Sequence, residues 1–265
     1  MLDDATPTPA RSHPRFGPTH ALLDATRSDI QAAYPHARMP PLNSHFVFTR
    51  SGYHVRFAHG SAHLQKQVGQ LVHSMYDARG LQIQGSAPQS QRAGQTTLAA
   101  CTGDHVFGTL TLGIDSPIGL LADTLYRKEI DDVRAGGGRV CEVTRLAVDS
   151  TVGSPDVLAT IFNIAFILAR HVHHMTDLFA EVHPRHAGFY QRLMGYRIAG
   201  PERTCPRVGA PAVLMHLCLD HAEQQIRKLA GNPDTGERSL YRHFLPQPQQ
   251  QAVVRELVEP LPVAA

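Results

Sequence analysis

The sequence lacks four features that would assign it to common classes of protein. It has no Cys-x-x-Cys pair, and its four cysteines are spread from Cys101 to Cys218, which argues against a disulfide framework or a cysteine-based zinc site. Neither sign of charge dominates, since 25 Lys and Arg residues face 23 Asp and Glu residues, so a nucleic-acid-binding protein is not expected. No unbroken apolar run approaches the roughly 18 residues that span a bilayer, and the first residues lack the apolar segment of a secretory signal. We therefore expect a cytoplasmic protein with reduced thiols.

The length of 265 residues permits one large domain, and the composition of 42% hydrophobic and 18% charged residues is typical of a globular protein. Seven of the 19 prolines fall within residues 1–45. Because proline is excluded from helix interiors, this segment is predicted to be a Pro-rich N-terminal arm. The sequence then predicts a folded domain over residues 46–220 and a polar C-terminal extension over residues 221–265.

Helical and strand patterns alternate within the predicted domain. FVFTR and YHVRFAH indicate two strands, and apolar residues spaced by three and four from Leu64 to Met75 indicate an amphipathic helix. After a hairpin pattern and a helical segment over 117–135, Ser154 and Pro155 form the N-cap and first turn of a long apolar helix. The order β-α-β-β-α-β-α-β predicts an α/β fold with a mixed sheet.

Two motifs carry a resemblance to acyltransferases. HPRHAGFYQRLMGY, residues 183–196, is similar to the short helix that follows a strand in the GNAT acyltransferase fold. CEVTRLAVD, residues 141–149, has the E-x-x-R spacing found in the core strand of acyl-homoserine-lactone synthases. Together with the preceding SPIGLLADTLYRKEIDDVRAGGGRV, it resembles FeeM-like long-chain N-acyl amino acid synthases more closely. The resemblance spans residues 50–220 and implies a GNAT-like, mostly antiparallel mixed sheet flanked by helices.

This resemblance implies that a long-chain fatty acyl group is moved from acyl carrier protein to the amine of an amino acid acceptor, giving an N-acyl amino acid. It implies no tightly bound cofactor, because the phosphopantetheine of the carrier protein presents the donor. Acetyl-CoA-dependent relatives bind pyrophosphate with a glycine-rich loop at a helix N-terminus. Here the loop 149–155 has one glycine and a proline, which favours a carrier-protein donor. The residues expected to meet phosphopantetheine are Val148, Ser150, Thr151, Val152, Gly153 and Ser154.

Acyl transfer to an amine requires a base for the ammonium proton, donors for the oxyanion and a proton for the departing thiolate. Glu142 is the candidate base, acting directly or through water, or alternatively a structural carboxylate paired with Arg145. A regular strand would place these side chains on opposite faces. The resemblance implies a β-bulge, which would change this parity and free a backbone N–H for the oxyanion. Arg145 would then hold Glu142 charged or bind the acceptor carboxylate, unless it is a surface arginine. Tyr190 is the candidate proton donor to the thiolate, or alternatively a core aromatic residue.

A long acyl chain requires an apolar pocket. Phe162 and Phe166, one turn apart on the long helix, are candidate lining residues, and Leu121 lies in a segment that is a candidate lid. Core packing is the alternative explanation for the two phenylalanines.

Five arginines face Glu202 alone between residues 183 and 207: Arg185, Arg192, Arg197, Arg203 and Arg207. Since acyl carrier proteins are acidic, a surface around Arg185, Arg192 and Arg197 is predicted to contact the carrier protein. An ordinary exposed helix and loop would have the same composition.

Five histidines lie between residues 171 and 186, but no spacing such as HExxH accompanies them, so no metal site is expected. Two other functions remain open. An acyl-homoserine-lactone synthase would depend on S-adenosylmethionine, and a non-catalytic acyl-carrier or lipid-binding module would use the same scaffold without transfer. An amphiphilic product is compatible with transient membrane contact that needs no anchor in the chain.

Overall fold

A mixed sheet forms the centre of the molecule. The computed structural model describes residues 41–80, 94–149, 151, 154–232, 236 and 238–258. Within these ranges eight strands form one sheet in the order β1-β2-β3-β4-β5-β6-β8-β7. Neighbouring strands are antiparallel, except that β5 and β6 run parallel. The strands are β1 (Val47–Arg50), β2 (Tyr53–Phe57), β3 (Gln95–Thr102), β4 (His105–Ile114), β5 (Val140–Val148), β6 (Asp177–Val182), β7 (Arg197–Cys205) and β8 (Ala210–Cys218). The predicted mostly antiparallel mixed sheet is therefore confirmed.

Helices cover both faces of this sheet. They are α1 (Ala62–Asp77), α2 (Asp123–Ala135), α3 (Pro155–Phe166), α4 (Pro184–Met194), α5 (Leu219–Leu229) and α6 (Gln247–Leu257), with a 3₁₀ turn at Leu240–His243. On β3, Ala99 packs with α1, whereas Leu98 packs in the main core with α3. Because side chains alternate along a strand, α1 lies on one face and α3 on the other. Tyr126 of α2 packs on the odd-numbered Phe179 of β6, whereas Leu178 faces the main core.

The long apolar helix begins where the sequence predicts. The Ser154 side chain accepts a hydrogen bond from the Val157 amide, and Pro155 occupies the first turn. The helix continues into a π-helical turn, Ile167–Val172. By length and composition the segment Pro155–Val172 would be able to cross a membrane, with a mean hydropathy of 1.3, but 72% of it is buried inside the fold. Core packing therefore accounts for its apolar character.

Strand β7 is an element that the sequence pattern did not predict. Its sequence, RIAGPERTC, contains Pro201 and little alternation. Proline has no backbone N–H to donate to a neighbouring strand, so it is tolerated only where the backbone nitrogen does not face a partner strand. β7 is the last strand of the sheet and its pairing with β8 shifts register twice, which satisfies this condition.

The described part of the C-terminal extension also differs from the polar tail that its composition suggests. Tyr241, Phe244, Val253 and Leu257 join the main hydrophobic core beside α3. The Leu257 carbonyl accepts a hydrogen bond from the Asn43 amide at 2.8 Å. A few apolar residues are thus enough to pack this Gln- and Pro-rich segment against the main hydrophobic core. The predicted boundaries at residues 45 and 220 stay predictions, and the arm up to residue 40 lies outside the described residues.

Candidate active site

A cavity of about 1400 Å³ opens where β5 and β6 separate. The parallel pairing of the two strands ends at Glu142 and Phe179, and beyond these residues the strands diverge. We call this region the strand gap. α1, α4 and the β7–β8 hairpin supply the remaining walls. Where parallel strands diverge, a substrate has access to backbone N–H and C=O groups that would be hydrogen-bonded in a regular sheet.

The E-x-x-R strand carries the β-bulge that the resemblance implied. In β5, Arg145 and Leu146 together stand opposite Leu110 of β4, and Arg145 has a φ of 52°. The bulge turns the Arg145 side chain toward the α1 face, where it lines the cavity and interacts electrostatically with Tyr76. Burial lowers the pKa of the Arg145 guanidinium, and Tyr76 opposes this shift. A half-buried cation on the cavity wall is suited to an anionic group of a substrate.

Glu142 occupies a different position from the one expected of a direct base. Its carboxylate accepts hydrogen bonds from the amides of Leu121 at 2.7 Å and Ala122 at 3.0 Å, at the start of α2. The side chain is 3% exposed and is absent from the described residues that line the cavity. Burial raises the pKa of Glu142, and the two amide bonds oppose that shift. The geometry supports the structural alternative, with backbone amides rather than Arg145 as its partners.

The segment before α2 is fixed by a cluster of charges. Asp123 accepts a hydrogen bond from the Leu120 amide at 2.7 Å, and Arg134 makes ion pairs at 2.8 Å with both Asp115 and Asp123. The anchored segment presents Leu121 to the cavity. Its role as a lid is not tested by the structure.

Tyr190 lines the cavity from α4. The helix begins at Pro184 and ends at Gly195, whose φ of 75° is a left-handed conformation that favours glycine. The ring of Tyr190 makes edge contacts with Phe162, Phe189 and Tyr196, with ring centres 5.4 to 6.4 Å apart. Burial raises the pKa of Tyr190 to about 12, with a smaller contribution from Tyr76. The phenol is therefore protonated at neutral pH and able to donate a proton.

Comparisons with known proteins identify the fold and the family. The family model described as N-acyl amino acid synthase FeeM matches residues 67–218, more than half of the chain. The chain belongs to the FeeM family of N-acyl amino acid synthases. A solved structure of FeeM from uncultured soil microbes is 26% identical, with a TM-score of 0.59, and the match covers 65% of this chain and 93% of that one. A search of curated proteins found no match.

Other solved acyltransferases share the fold at lower similarity. An acyl-CoA N-acyltransferase from Pseudomonas aeruginosa is 13% identical with a TM-score of 0.45, covering 62% of this chain and 97% of that one. The acyl-homoserine-lactone synthase LasI is 14% identical with a TM-score of 0.45, covering 64% and 91%. Membership of the FeeM family shows that this protein is an acyltransferase, and its mixed, mostly antiparallel sheet flanked by helices agrees with the predicted GNAT-like fold.

In this FeeM-family protein, the predicted phosphopantetheine loop is described only in part. Val148 lines the cavity, Thr151 bonds to the Asp149 carboxylate at 2.7 Å through its hydroxyl, and Ser154 caps α3. Ser150, Val152 and Gly153 lie outside the described residues. Their contacts with phosphopantetheine stay a prediction.

Phe162 and Phe166, which were predicted to line the acyl-chain pocket, are not among the described residues that line the large cavity. Both border a separate small void between the sheet, α3, α4, α5 and the C-terminal segment. Tyr241 and Phe244 border the same void. The helix is apolar all round, so its sequence alone does not distinguish the core side from a cavity side.

The predicted arginine patch divides into two groups. Arg185, Arg192 and Arg197 are exposed, and Arg185 also lines the cavity. Arg203 instead lies over the Tyr126 ring and pairs with Glu129 at 2.6 Å. Arg207 pairs with Glu181 and donates to the Leu121 carbonyl at 3.1 Å. Only the first group therefore suits a carrier-protein surface.

Three cavity residues were missed by sequence reasoning: Tyr76 on α1, Glu181 on β6 and Arg207 on the β7–β8 hairpin. Glu181 lies two residues before the recognised HPRHAGFY motif. Strand alternation alone does not show that it shares a face with Glu142, because this also requires the register between β5 and β6. No group of three or more metal-ligating side chains occurs in the described part of the chain.

Proposed function

We propose that this enzyme transfers a long-chain fatty acyl group from acyl carrier protein to the amine of an amino acid. The observation that carries this proposal is the cavity at the strand gap of a FeeM-family fold, with an apolar wall and a cationic one. Val68, Val72, Leu146 and Val148 offer contacts for a hydrocarbon chain. Lys66, Arg79, Arg145 and Arg185 offer contacts for phosphate or carboxylate groups.

In the proposed reaction the thioester carbonyl lies at the bulge of β5. The bulge removes Arg145 and Leu146 from regular pairing with β4, and a freed backbone N–H would stabilise the tetrahedral oxyanion. The protonated phenol of Tyr190 would supply the proton that converts the departing thiolate into a thiol. Glu142 would act indirectly, by holding Leu121 and the start of α2 against the cavity.

The donor is proposed to be a carrier protein because its phosphopantetheine requires no adenine or pyrophosphate site. The loop 149–155 has one glycine and a proline, unlike a glycine-rich pyrophosphate cradle. Arg185 lines the cavity, and the exposed residues Arg185, Arg192 and Arg197, from α4 to the start of β7, would meet the acidic carrier protein. Catalysis is expected in the cytoplasm, with transient membrane contact arising from the amphiphilic product.

Mass spectrometry of the reaction product tests this function directly. Purified enzyme is incubated with a panel of amino acids and with acyl groups of several lengths, each presented on carrier protein or on CoA. New N-acyl amino acids formed from the carrier-protein donor are expected, with at least a hundredfold loss in Tyr190→Phe. Efficient transfer from CoA with none from carrier protein would overturn the donor assignment, and dependence on S-adenosylmethionine would favour lactone synthesis.

A further inference from the structure

Glu181 is the carboxylate of the cavity wall. Among the described residues that line the cavity, the other charged groups are the cations Lys66, Arg79, Arg145, Arg185 and Arg207. One oxygen of Glu181 pairs with Arg207, while Oε1 is buried and has no hydrogen-bond partner among the described residues. The side chain is 11% exposed. A buried carboxylate oxygen without a donor is unfavourable unless a ligand supplies one.

The sheet places Glu181 at the strand gap. Pairing of β5 with β6 ends at Glu142 and Phe179, and Thr144 and Glu181 each lie two residues further along. Since side chains alternate with a period of two, both residues point to the face occupied by α2. Thr144 lines the same cavity, and its hydroxyl is also buried without a hydrogen-bond partner in the described part of the chain. Two unsatisfied polar groups thus flank the gap from opposite strands.

The remaining bases around the cavity are engaged in other contacts or lie elsewhere. The His183 ring accepts from the Arg185 amide at the start of α4, and His186 bonds to the Arg185 side chain at 3.2 Å. His73 pairs with Asp77 on exposed helix surface. His59 also lines the cavity, and its Nδ1 is buried without a partner among the described residues. However, its ring stacks on Phe57 after β2, which β3 and β4 separate from β5 and the strand gap.

We propose that Glu181 binds the ammonium group of the amino acid acceptor and removes its first proton. This inference rests on the proposed function, because it assigns a residue to the acceptor of that same reaction. Arg207 is a positioning residue that holds the second oxygen of Glu181 and, through the Leu121 carbonyl, the edge of the cavity. The Thr144 hydroxyl is the second contact for the acceptor amine.

The proton and bond changes balance as follows. The acceptor ammonium gives one proton to Glu181, which releases it to water after each turnover. The amine nitrogen then bonds to the thioester carbonyl carbon, and the carbon–sulfur bond breaks when the tetrahedral intermediate collapses. Tyr190 protonates the sulfur and recovers a proton from the nitrogen. The products are the amide, the free thiol and one proton.

The test compares Glu181→Gln with the wild type in steady-state kinetics from pH 6.5 to 10. At pH 7 we expect kcat/KM for the amino acid to fall at least a hundredfold, as for loss of a general base, with KM for the acyl donor unchanged. Recovery of more than tenfold is expected toward pH 10, where the acceptor amine loses its proton without assistance. Glu129→Gln is the matched control, since Glu129 also pairs with an arginine but lies outside the cavity.

Each outcome separates this inference from the proposed function. If the wild type acylates no amino acid, the proposed function fails. If the wild type is active and Glu181→Gln retains kcat/KM within threefold, Glu181 is not the ammonium-binding base. A large loss that persists at pH 10, or one matched by Glu129→Gln, would also overturn the assignment, because it would indicate structural damage.

Discussion

Glu142 stabilises the start of α2 through two backbone amides, and this position determines what its substitution should do. In Glu142→Gln one of the amides of Leu121 and Ala122 loses a good acceptor, because the glutamine nitrogen is a donor. We expect a loss of about 1 to 3 kcal/mol in the free energy of unfolding, measured by urea denaturation. Asp132→Asn, on the exposed side of α2, serves as the control. Unchanged stability with abolished transfer would instead support a direct catalytic role.

His173 makes stability depend on pH. It is 7% exposed, and neither ring nitrogen has a hydrogen-bond partner within the described ranges. Burial, with a smaller contribution from His174, lowers its pKa to about 4. Folding therefore favours the neutral form of His173. Its contribution to the free energy of unfolding is complete above the unfolded pKa near 6.5 and declines as the pH falls toward 4. At pH 5 we expect this decline to have lowered the free energy of unfolding by about 2 kcal/mol.

The corresponding measurement is urea unfolding of wild type and His173→Leu at pH 7.5 and pH 5. The variant should lose about 2 kcal/mol less than the wild type over this interval, since it has no buried imidazole to protonate. His221→Leu, which removes an exposed histidine from α5, should behave as the wild type does. Equal acid sensitivity of wild type and His173→Leu would contradict the assignment.

At the scale of elements, the bulge of β5 reverses the usual preference of a strand for β-branched residues. Arg145 has a φ of 52°, a conformation that β-branched residues avoid and glycine adopts readily. Arg145→Val should therefore be less stable than Arg145→Gly by about 2 kcal/mol, although valine is the better strand former. Thermal and urea unfolding of the two variants measure this difference, with the loss of the guanidinium common to both. Equal stability of the two variants would show that the backbone at residue 145 leaves its positive-φ conformation when arginine is removed.

Elements with strong local signals were predictable from the sequence. The caps at Ser154 and Gly195 and the prolines at helix starts mark α3 and α4 because local backbone chemistry determines these ends. The bulge at Arg145 was predicted from the family resemblance, because the E-x-x-R spacing alone does not show on which face of the strand the Arg145 side chain lies. β7 and α6 escaped prediction because their stability comes from tertiary contacts rather than from periodicity.

The candidate site was only partly predictable for the same reason. Leu121, Arg145 and Tyr190 were recognised through motifs, and the structure places all three on one cavity. Glu181 and Arg207 come from strands distant in sequence, so their ion pair emerges only from the sheet order. Local sequence thus identified the strand and the helix that carry Arg145 and Tyr190 to the cavity, whereas the polar groups opposite them depend on the fold.

At the scale of the whole molecule, charge is distributed unevenly although its total is close to zero. The formal net charge is +2, yet the cavity wall carries five Lys and Arg side chains and a single carboxylate among the described residues. Arg192 on α4 and Arg197 at the start of β7 add exposed positive charge outside the cavity. Such local fields accelerate the association of an oppositely charged partner and are screened over about 10 Å at 0.1 M salt.

If an acidic carrier protein is the donor, kcat/KM for acyl carrier protein should fall by about tenfold or more between low and high ionic strength, because steering is screened. The rate with the small neutral donor acyl-pantetheine should change little. Combining Arg192→Glu with Arg197→Glu should reproduce the loss at low salt, whereas Arg255→Glu on α6 should not. The same salt dependence with both donors would place the effect in the cavity rather than at a docking surface. The enzyme would then select its donor by the phosphopantetheine arm alone.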